Sequence, residues 1–155
     1  MTAIKRLETD KRSLTLRPID GVNISWPNNN IREWLVQIEG PAGSLYENDI
    51  FDIYFTFKDD YPKHAPKVQM KTPIVHPNVD INGAVCVDVL RVQYNNTVDV
   101  RKIIEGIINA LEHPNEKGRL NAQVGDLMLR DMAAFEAKAR KQVATNIMNR
   151  AKTGQ

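Results

Sequence analysis

The chain has 155 residues, of which 42% are hydrophobic and 26% charged, a balance typical of one globular domain. Its formal net charge of +2 is too small to indicate a nucleic-acid-binding protein, and no apolar run approaches the roughly 18 residues that a membrane span needs. Its single cysteine, Cys86, excludes an internal disulfide and a cysteine-rich zinc site. A free thiol also favours a reducing compartment, so we expect a protein of the cytoplasm, the nucleus or both.

The predicted elements begin with a basic helix over residues 3–16, which carries a broken apolar stripe and ends at the Pro-Ile-Asp-Gly sequence that follows. Three short segments then alternate between apolar and polar residues or are mainly apolar, which predicts strands over residues 34–38, 52–57 and 67–71. The connections between them contain turn residues and are short, which indicates an antiparallel meander.

After this region the pattern changes to a loop and then to helices. Residues 73–83 are rich in Pro, Asn, Asp and Gly and predict a structured loop. An apolar face at helical spacing predicts a helix over residues 100–111, with Thr97 or Asp99 as its cap. Pro114 ends this helix because proline cannot continue it.

Residues 122–149 predict a second helical stretch, since apolar residues recur there at i+3 or i+4. The predicted elements therefore follow one another as a helix, a run of strands, a loop and a run of helices. This order is typical of an α+β fold and not of an alternating βαβ fold. We therefore predict an α+β fold in which residues 1–155 form a single domain.

The residues that suggest chemistry lie in the predicted loop. Asn78 and Cys86 are eight positions apart (86 − 78), which a fully extended chain would span as about 26 Å at ~3.3 Å per residue. Asn82 and Gly83 form a strong tight-turn signal because both residue types tolerate positive φ, so we expect Cys86 to fold back toward Asn78. A thiolate that attacks an acyl carbon generates an oxyanion, which a neutral amide N–H can stabilise without acting as a base.

Simpler roles remain open for the neighbours of Cys86. Asn78 can cap the loop backbone, as asparagine does in many turns, and we expect His76 to be a structural residue and not a general base. The sequence around Cys86 matches none of the local signatures of papain-like or caspase-like proteases, so that function ranks low. The three histidines have no i+4 partner, and we expect no metal site.

At these residues the chain resembles the ubiquitin-conjugating enzyme family. The hallmark of that family is a His-Pro-Asn triplet, a short Asn-Gly turn, and the active-site cysteine followed by an apolar-Asp-apolar-Leu run, and residues 76–90 fit it with no insertion. The resemblance covers essentially the whole chain. Its further motifs are Trp34 with Gly40-Pro41, Tyr46-Glu47 with Ile50-Phe51, Asp60-Tyr61-Pro62 with Pro66-Lys67-Val68, and Leu111 with Pro114-Asn115.

The resemblance implies a fold, an activity and partners. The fold would be an N-terminal helix, a four-stranded antiparallel meander and C-terminal helices. Cys86 would accept ubiquitin as a thioester from an activating enzyme and pass it to a substrate lysine, usually with a ligase. Asn78 would stabilise the oxyanion or organise the loop, and His76, Pro77 and Asp88 would hold the site loop. We expect no cofactor, and neither nucleic acid nor membrane as a partner.

The same resemblance implies contact surfaces. Lys5 and Arg6 on the first helix would help to dock the activating enzyme, although a solvated helix face is the simpler interpretation. Lys63, Tyr94 and Asn96 would lie in loops that contact ligases. Both loops depart from the family pattern, because Lys63 takes a position that is often apolar and Tyr94 begins a segment without the usual Trp-x-Pro.

The departure with the largest consequence concerns the incoming lysine. Many family members carry an acidic residue after the helix that follows the site, where this chain has Gly118 in the run Glu116 to Leu120. In the family that acidic residue helps to position and deprotonate the lysine, and here Glu116 or Asp88 would have to do so. Loading of the thioester is therefore better supported than ordinary lysine transfer. A second departure is the replacement of a glycine pair by residues 48–49, Asn-Asp.

Two alternatives stay open. The chain can carry a ubiquitin-like modifier by the same chemistry, although the short insertion typical of SUMO-conjugating enzymes is absent after Leu90. It can also be a non-catalytic ubiquitin-binding scaffold that has kept an inert cysteine. Accessibility of the Cys86 thiol discriminates between an active site and a buried relic.

Overall fold

The computed structural model describes residues 2–154, and its helices and strands follow the predicted order. In chain order the elements are α1 (Ala3–Leu16), β1 (Val22–Ser25), β2 (Glu33–Glu39), β3 (Ile50–Thr56), β4 (Lys67–Met70), α2 (Val100–Glu112), α3 (Ala122–Arg130) and α4 (Met132–Thr153). The strands form one sheet in the order β1-β2-β3-β4, and each neighbouring pair is antiparallel. The predicted α+β class and the four-stranded meander are therefore confirmed.

β2 and β3 form the centre of the sheet and bury one of its faces. Three pairs of residues lie opposite each other on that face: Trp34–Phe55, Val36–Ile53 and Ile38–Phe51. All six side chains are buried, because alternate residues of a strand point to the same side of a sheet. The predicted strands end within two residues of the observed ones, but β1 has only four residues, too few for alternation alone to predict it.

α1 and α2 pack in the same core as the sheet. Their buried apolar residues recur at the predicted helical spacing and include Leu7, Leu14, Ile103, Ile107 and Leu111. Asp99 is the N-cap residue of α2, since its carboxylate accepts a hydrogen bond from the Lys102 backbone N–H at 2.9 Å. Of the two predicted caps, Asp99 is correct and Thr97 is wrong.

The single helical stretch predicted over residues 122–149 is wrong, because Asp131 divides it into α3 and α4. Asp131 has non-helical dihedral angles, φ −157° and ψ 87°, and its carboxylate accepts the Ala134 backbone N–H at 3.0 Å. Apolar residues keep their spacing across this junction, so the periodicity does not reveal a one-residue break. No helix within residues 2–154 is both long and apolar enough to cross a membrane.

The C-terminal half of α4 is anchored to the sheet by a buried polar cluster. The Asp49 carboxylate, which follows the turn between β2 and β3, pairs with the Arg150 guanidinium at 2.6 Å. The Asn146 side-chain amide donates to Asp49 at 2.8 Å and to the Pro73 carbonyl at 2.8 Å. This anchor therefore ties α4 both to the β2–β3 connection and to the segment that leads into the predicted site loop.

Candidate active site

Cys86 follows a tight turn in the loop between β4 and α2. The Gly83 N–H donates to the Asp80 carbonyl at 3.0 Å, and the Asp80 carboxylate accepts the N–H groups of Asn82 at 2.8 Å and Ala84 at 2.9 Å. Gly83 has φ +89°, a conformation that side chains strongly disfavour. The turn predicted from Asn82 and Gly83 is therefore confirmed. The structure shows in addition that the Asp80 carboxylate holds this turn through two hydrogen bonds, which the sequence did not predict.

The turn places Cys86 directly opposite Asn78. Val79 and Val85 form an antiparallel bridge, and the Cys86 N–H donates to the Asn78 carbonyl at 2.9 Å. Side chains of directly opposed residues lie on the same face of a ribbon, with Cβ atoms about 4.5–5.5 Å apart. The predicted approach of these two residues is confirmed, and Cys86 is half-buried there.

The ribbon that carries Cys86 is hydrogen-bonded to β4. The Val85 N–H donates to the Val68 carbonyl at 3.1 Å, and the Met70 N–H donates to the Gly83 carbonyl at 2.8 Å. A Cβ atom at position 83 would lie 2.2 Å from the Met70 carbonyl oxygen, which is backbone and cannot move aside cheaply. Position 83 therefore requires glycine for two reasons, its dihedral angle and its close approach to β4.

His76 holds the backbone of the loop as a neutral imidazole. Its Nδ1 accepts the Asn78 N–H at 2.9 Å, so that nitrogen carries no proton, and its Nε2 then donates to the Ala110 carbonyl at 2.7 Å. Burial lowers the pKa of His76 to about 4. Because both ring nitrogens are engaged within the protein, His76 is poorly suited to act as a general base.

This environment predicts an acid-sensitive loop. The folded-state pKa lies below the ordinary value of about 6.5, so as the pH falls the unfolded state binds the proton first. We expect His76 to contribute a loss of stability that builds up between about pH 6.5 and pH 4 and reaches about 3 kcal/mol.

Urea unfolding of wild type and His76→Gln at several pH values measures that contribution as the difference between the two pH slopes. His64→Gln is the control for removing a histidine from an exposed position outside the site loop. Equal slopes for wild type and His76→Gln would contradict the assignment.

A second segment packs against the triplet from the α2–α3 connection. The N–H groups of Leu120 and Asn121 both donate to the Pro77 carbonyl at 2.9 Å, and the Asn121 side-chain amide donates to the Val79 carbonyl at 3.3 Å. Pro77 is buried in this contact. The segment predicted to surround the incoming lysine is therefore held beside Asn78, with Leu120 exposed on it.

Asn78 faces a groove of about 260 Å³ between the site loop, α2 and this second segment. The polar residues that line it are Asn78, Asp88, Gln93, Asn109, His113, Asn115 and Lys117. None of the three residues predicted for the lysine environment, Glu116, Gly118 and Leu120, lines the groove. Gly118 (φ +65°) has the Arg91 guanidinium 4.0 Å from where a Cβ would lie. Lys117 and His113 were missed, because their approach to Asn78 depends on how the α2–α3 connection folds back.

The Asn78 side chain itself makes no hydrogen bond within residues 2–154. Its backbone N–H is bonded to His76 and its carbonyl to Cys86. The side chains that hydrogen-bond to the backbone of the loop are instead those of Asp80 and Asn121. The amide group is thus available for a ligand or a reacting group.

The five residues predicted for partner contacts meet at one end of the molecule. The Arg6 guanidinium donates to the carbonyls of Asn96 at 2.9 Å and Val98 at 3.2 Å, and it pairs with Asp10 at 3.3 Å. Tyr94 donates through its hydroxyl to the Pro62 carbonyl at 2.6 Å, next to the exposed Lys63. Lys5 and Asn96 are exposed. Arg6 therefore connects α1 to the loop that contains Tyr94 and Asn96. The contact roles of all five residues remain predictions.

Asp10 is the buried centre of that end of the molecule. Its carboxylate accepts the Tyr61 hydroxyl at 2.5 Å and the Val100 N–H at 3.3 Å, besides its ion pair with Arg6. Burial raises the pKa of Asp10, which its hydrogen bonds and the Arg6 charge partly oppose. Asp10 thereby connects α1 to the N-terminus of α2 and to the loop that contains Tyr61 and Pro62.

No group of three or more histidine, cysteine, aspartate or glutamate residues in the described chain is arranged to hold a metal ion. The groups that the site offers are one thiol, one free amide and the charged residues of the groove. A meander sheet flanked by helices, with a half-buried cysteine opposite an asparagine, is the arrangement that the resemblance to ubiquitin-conjugating enzymes implies.

Comparison with known proteins agrees with this arrangement. The family model described as "Ubiquitin-conjugating enzyme" matches residues 6–143. "Ubiquitin-conjugating enzyme E2 13" of Saccharomyces cerevisiae is 34% identical over 137 residues, which cover 88% of this chain and 90% of that protein. "Probable ubiquitin-conjugating enzyme E2 31" of Arabidopsis thaliana is 35% identical, covering 82% of each chain. The human "Ubiquitin-conjugating enzyme E2 S" is 32% identical over 88% of this chain and 62% of that protein.

The chain belongs to the ubiquitin-conjugating enzyme family, and it is a transferase of that class. The family resemblance seen in the sequence is confirmed. The roles assigned to individual site residues are not tested by these comparisons and are argued below.

Proposed function

We propose that Cys86 accepts ubiquitin as a thioester from an activating enzyme and passes it to a substrate lysine or to a ligase. The observation that carries this proposal is the half-buried thiol of Cys86 paired through its backbone with Asn78. In loading, the Cys86 thiolate attacks the carbonyl carbon of the thioester on the activating enzyme. A new C–S bond forms, the old one breaks, and the thiolate of the activating enzyme leaves.

Asn78 is the group best placed to stabilise the oxyanion during transfer. Its amide has no partner within the described residues, and it shares a face with Cys86. A donor that is already oriented stabilises the developing negative charge without reorganisation during the reaction. His76 fixes this arrangement by holding the Asn78 backbone, and it takes no part in proton transfer.

The incoming lysine needs an acceptor for its proton, since a free lysine has a pKa of about 10.4 and is charged at neutral pH. Asp88 is the one carboxylate among the described residues that line the groove beside Asn78. Glu116 lies outside the groove lining, and Gly118 has no side chain to offer. Asp88 is therefore the proton acceptor in this proposal, and its charge also attracts the ammonium group before transfer.

Partners and location follow from the same proposal. The surface formed by Lys5, Arg6, Lys63, Tyr94 and Asn96 would receive the activating enzyme and the ligase in turn, because the five residues lie at one end of the molecule. Cys86 must stay a free thiol until it is loaded, and free thiols persist in a reducing compartment, so the protein would work in the cytoplasm or the nucleus.

A charging assay tests the proposal. Protein is incubated with ATP, Mg²⁺, a ubiquitin-activating enzyme and ubiquitin, and is then run on gels with and without reductant. We expect a band that is heavier by one ubiquitin and is lost on reduction. Cys86→Ser should replace it with a band that resists reductant, because an oxygen ester forms, and Cys86→Ala should give neither band.

The other outcomes separate the alternatives. A reducible band only with a ubiquitin-like modifier and its own activating enzyme would reassign the modifier. No band with any pair, together with protection of Cys86 from alkylation in the native state, would favour the scaffold. The half-burial of Cys86 counts against that last outcome, because a fully buried thiol is inert.

A further inference from the structure

We propose that Lys117 is an acceptor for ubiquitin within the same molecule, so that the enzyme modifies its own groove when no other acceptor is present. This inference rests on the proposed thioester at Cys86. It arises because Lys117 is the only lysine among the described residues that line the groove beside Asn78 and Asp88. The site that awaits a lysine side chain thus already contains one from its own chain.

The backbone of Lys117 belongs to a hydrogen-bonded segment that is attached to the loop carrying Asn78. Its N–H donates to the Asn115 side-chain carbonyl at 3.0 Å, and the chain reverses at Gly118, which has φ +65°. The following residues, Leu120 and Asn121, are then bonded to the Pro77 carbonyl, directly before Asn78. Lys117 is therefore attached to the triplet by a short, hydrogen-bonded segment.

The side chain of Lys117 is free to reach into the groove. It is exposed, and it forms no ion pair with a carboxylate in the part of the chain that the structure describes. The one carboxylate among the described residues that line the groove is that of Asp88, which can take the proton that the ammonium group must lose. The groove so combines an amine, a proton acceptor and an oxyanion donor from three segments.

The step is balanced and needs no further reactant. The neutral amine of Lys117 attacks the thioester carbonyl carbon, and the resulting oxyanion lies toward the Asn78 amide. The C–S bond then breaks, and the second proton released from nitrogen passes to the leaving Cys86 sulfur, which departs as a thiol, while Asp88 holds the proton that the ammonium group gave up before the attack. The product is an isopeptide bond between the C-terminus of ubiquitin and Lys117.

An acceptor tethered this closely has a large kinetic advantage. Short tethers give effective concentrations on the order of millimolar, well above the concentration of most protein substrates. Modification at Lys117 would also fill the groove and hinder later lysines. The expected outcome is slow self-inactivation that a ligase or a substrate prevents by using the thioester first.

The test is a single-turnover chase. Wild-type protein is charged with ubiquitin, charging is stopped by removing Mg²⁺ and ATP, and the adduct that resists reductant is followed and expressed per thioester present at the start. We expect it to form with a rate constant independent of enzyme concentration, and we expect peptide mapping of wild type to place the ubiquitin remnant on Lys117.

Two substitutions complete the test. Lys117→Arg keeps the charge but removes the nucleophile, because a guanidinium stays protonated, and should slow formation of the resistant adduct at least tenfold. Lys138→Arg is the matched control, an exposed lysine of α4 that does not line the groove, and should have no effect. A resistant adduct that persists in Lys117→Arg, or a rate that rises with enzyme concentration, would overturn the inference while leaving the thioester intact. Absence of the reducible band would instead overturn the proposed function itself.

Discussion

Replacing Asn78 with alanine should slow transfer of ubiquitin to lysine by about 10²–10³-fold, the usual cost of losing one oxyanion donor. Loading from the activating enzyme should change far less. The reason is geometric, since the Asn78 amide shares a face with Cys86 and is not used by any other residue of the described chain. Removing it therefore deletes an interaction that forms only as the oxyanion develops.

The alternative role, in which Asn78 organises the loop, predicts a different result. If the side chain held the loop, alanine would lower stability and slow both steps together. The structure assigns the hydrogen bonds of the loop to other groups, namely the Asp80 carboxylate, the His76 ring and the Asn121 amide. We therefore expect the urea midpoint of Asn78→Ala to stay within the range of ordinary surface substitutions.

Asn121→Ala is the matched control for this experiment. Asn121 caps α3, accepting the Val124 N–H at 3.2 Å, and supports the loop by donating to the Val79 carbonyl. Its loss should lower the free energy of unfolding by about 1 kcal/mol, the typical cost of a missing cap. Single-turnover rates for loading and for transfer to free lysine, measured for both variants, separate the two roles. Equal slowing of both steps in Asn78→Ala would contradict the oxyanion assignment.

The parts of the fold that the sequence predicted correctly are those set by neighbours along the chain. The buried faces of β2, β3 and α2 follow from the periodicity of their own residues. The turn that returns Cys86 to Asn78 follows from the dihedral preferences of Asn82 and Gly83. These signals are local, and they were sufficient for the fold class and for the core of the site.

The parts that the sequence did not predict depend on contacts between distant residues. The docking role of Arg6 stays a prediction, but no signal in the sequence indicates that its guanidinium bonds to carbonyls 90 and 92 positions away. The approach of Lys117 to Asn78 depends on how the α2–α3 connection packs on Pro77. Neither contact has a periodic or turn signal, because a long side chain can reach many positions and only the folded arrangement selects one.

The substitution of the family's glycine pair shows the same limit. Asn48 takes φ +75°, a left-handed conformation that asparagine tolerates, so the first replacement is explained locally. The second is explained only by α4, since Asp49 bonds to Asn146, which lies 97 positions away, and to Arg150. The aspartate at position 49, which departs from the family pattern, is thus coupled to two polar residues of α4.

Arg150→Leu should lower the free energy of unfolding by about 3 kcal/mol, because it leaves the Asp49 carboxylate buried without its countercharge. The side chain of Asp49 is 0% exposed and that of Arg150 25%. Removing one partner of a buried pair costs about 3–5 kcal/mol. The lower end applies here, since Asp49 keeps its bonds from the Asn146 amide and from the Ile50 N–H.

The double variant Asp49→Asn with Arg150→Leu provides the decisive comparison. With the carboxylate neutralised, no unpaired charge remains, so the double variant should be more stable than Arg150→Leu alone. Lys152→Leu is the control, an exposed cation two positions further along α4, and its unfolding midpoint should stay near that of wild type. Urea unfolding of wild type, the two single variants, the double variant and Lys152→Leu measures the coupling. If the costs of Asp49→Asn and Arg150→Leu simply add, the buried pair does not hold α4 against the sheet, and the segment from Pro73 into the site loop must be fixed by the Asn146 amide alone.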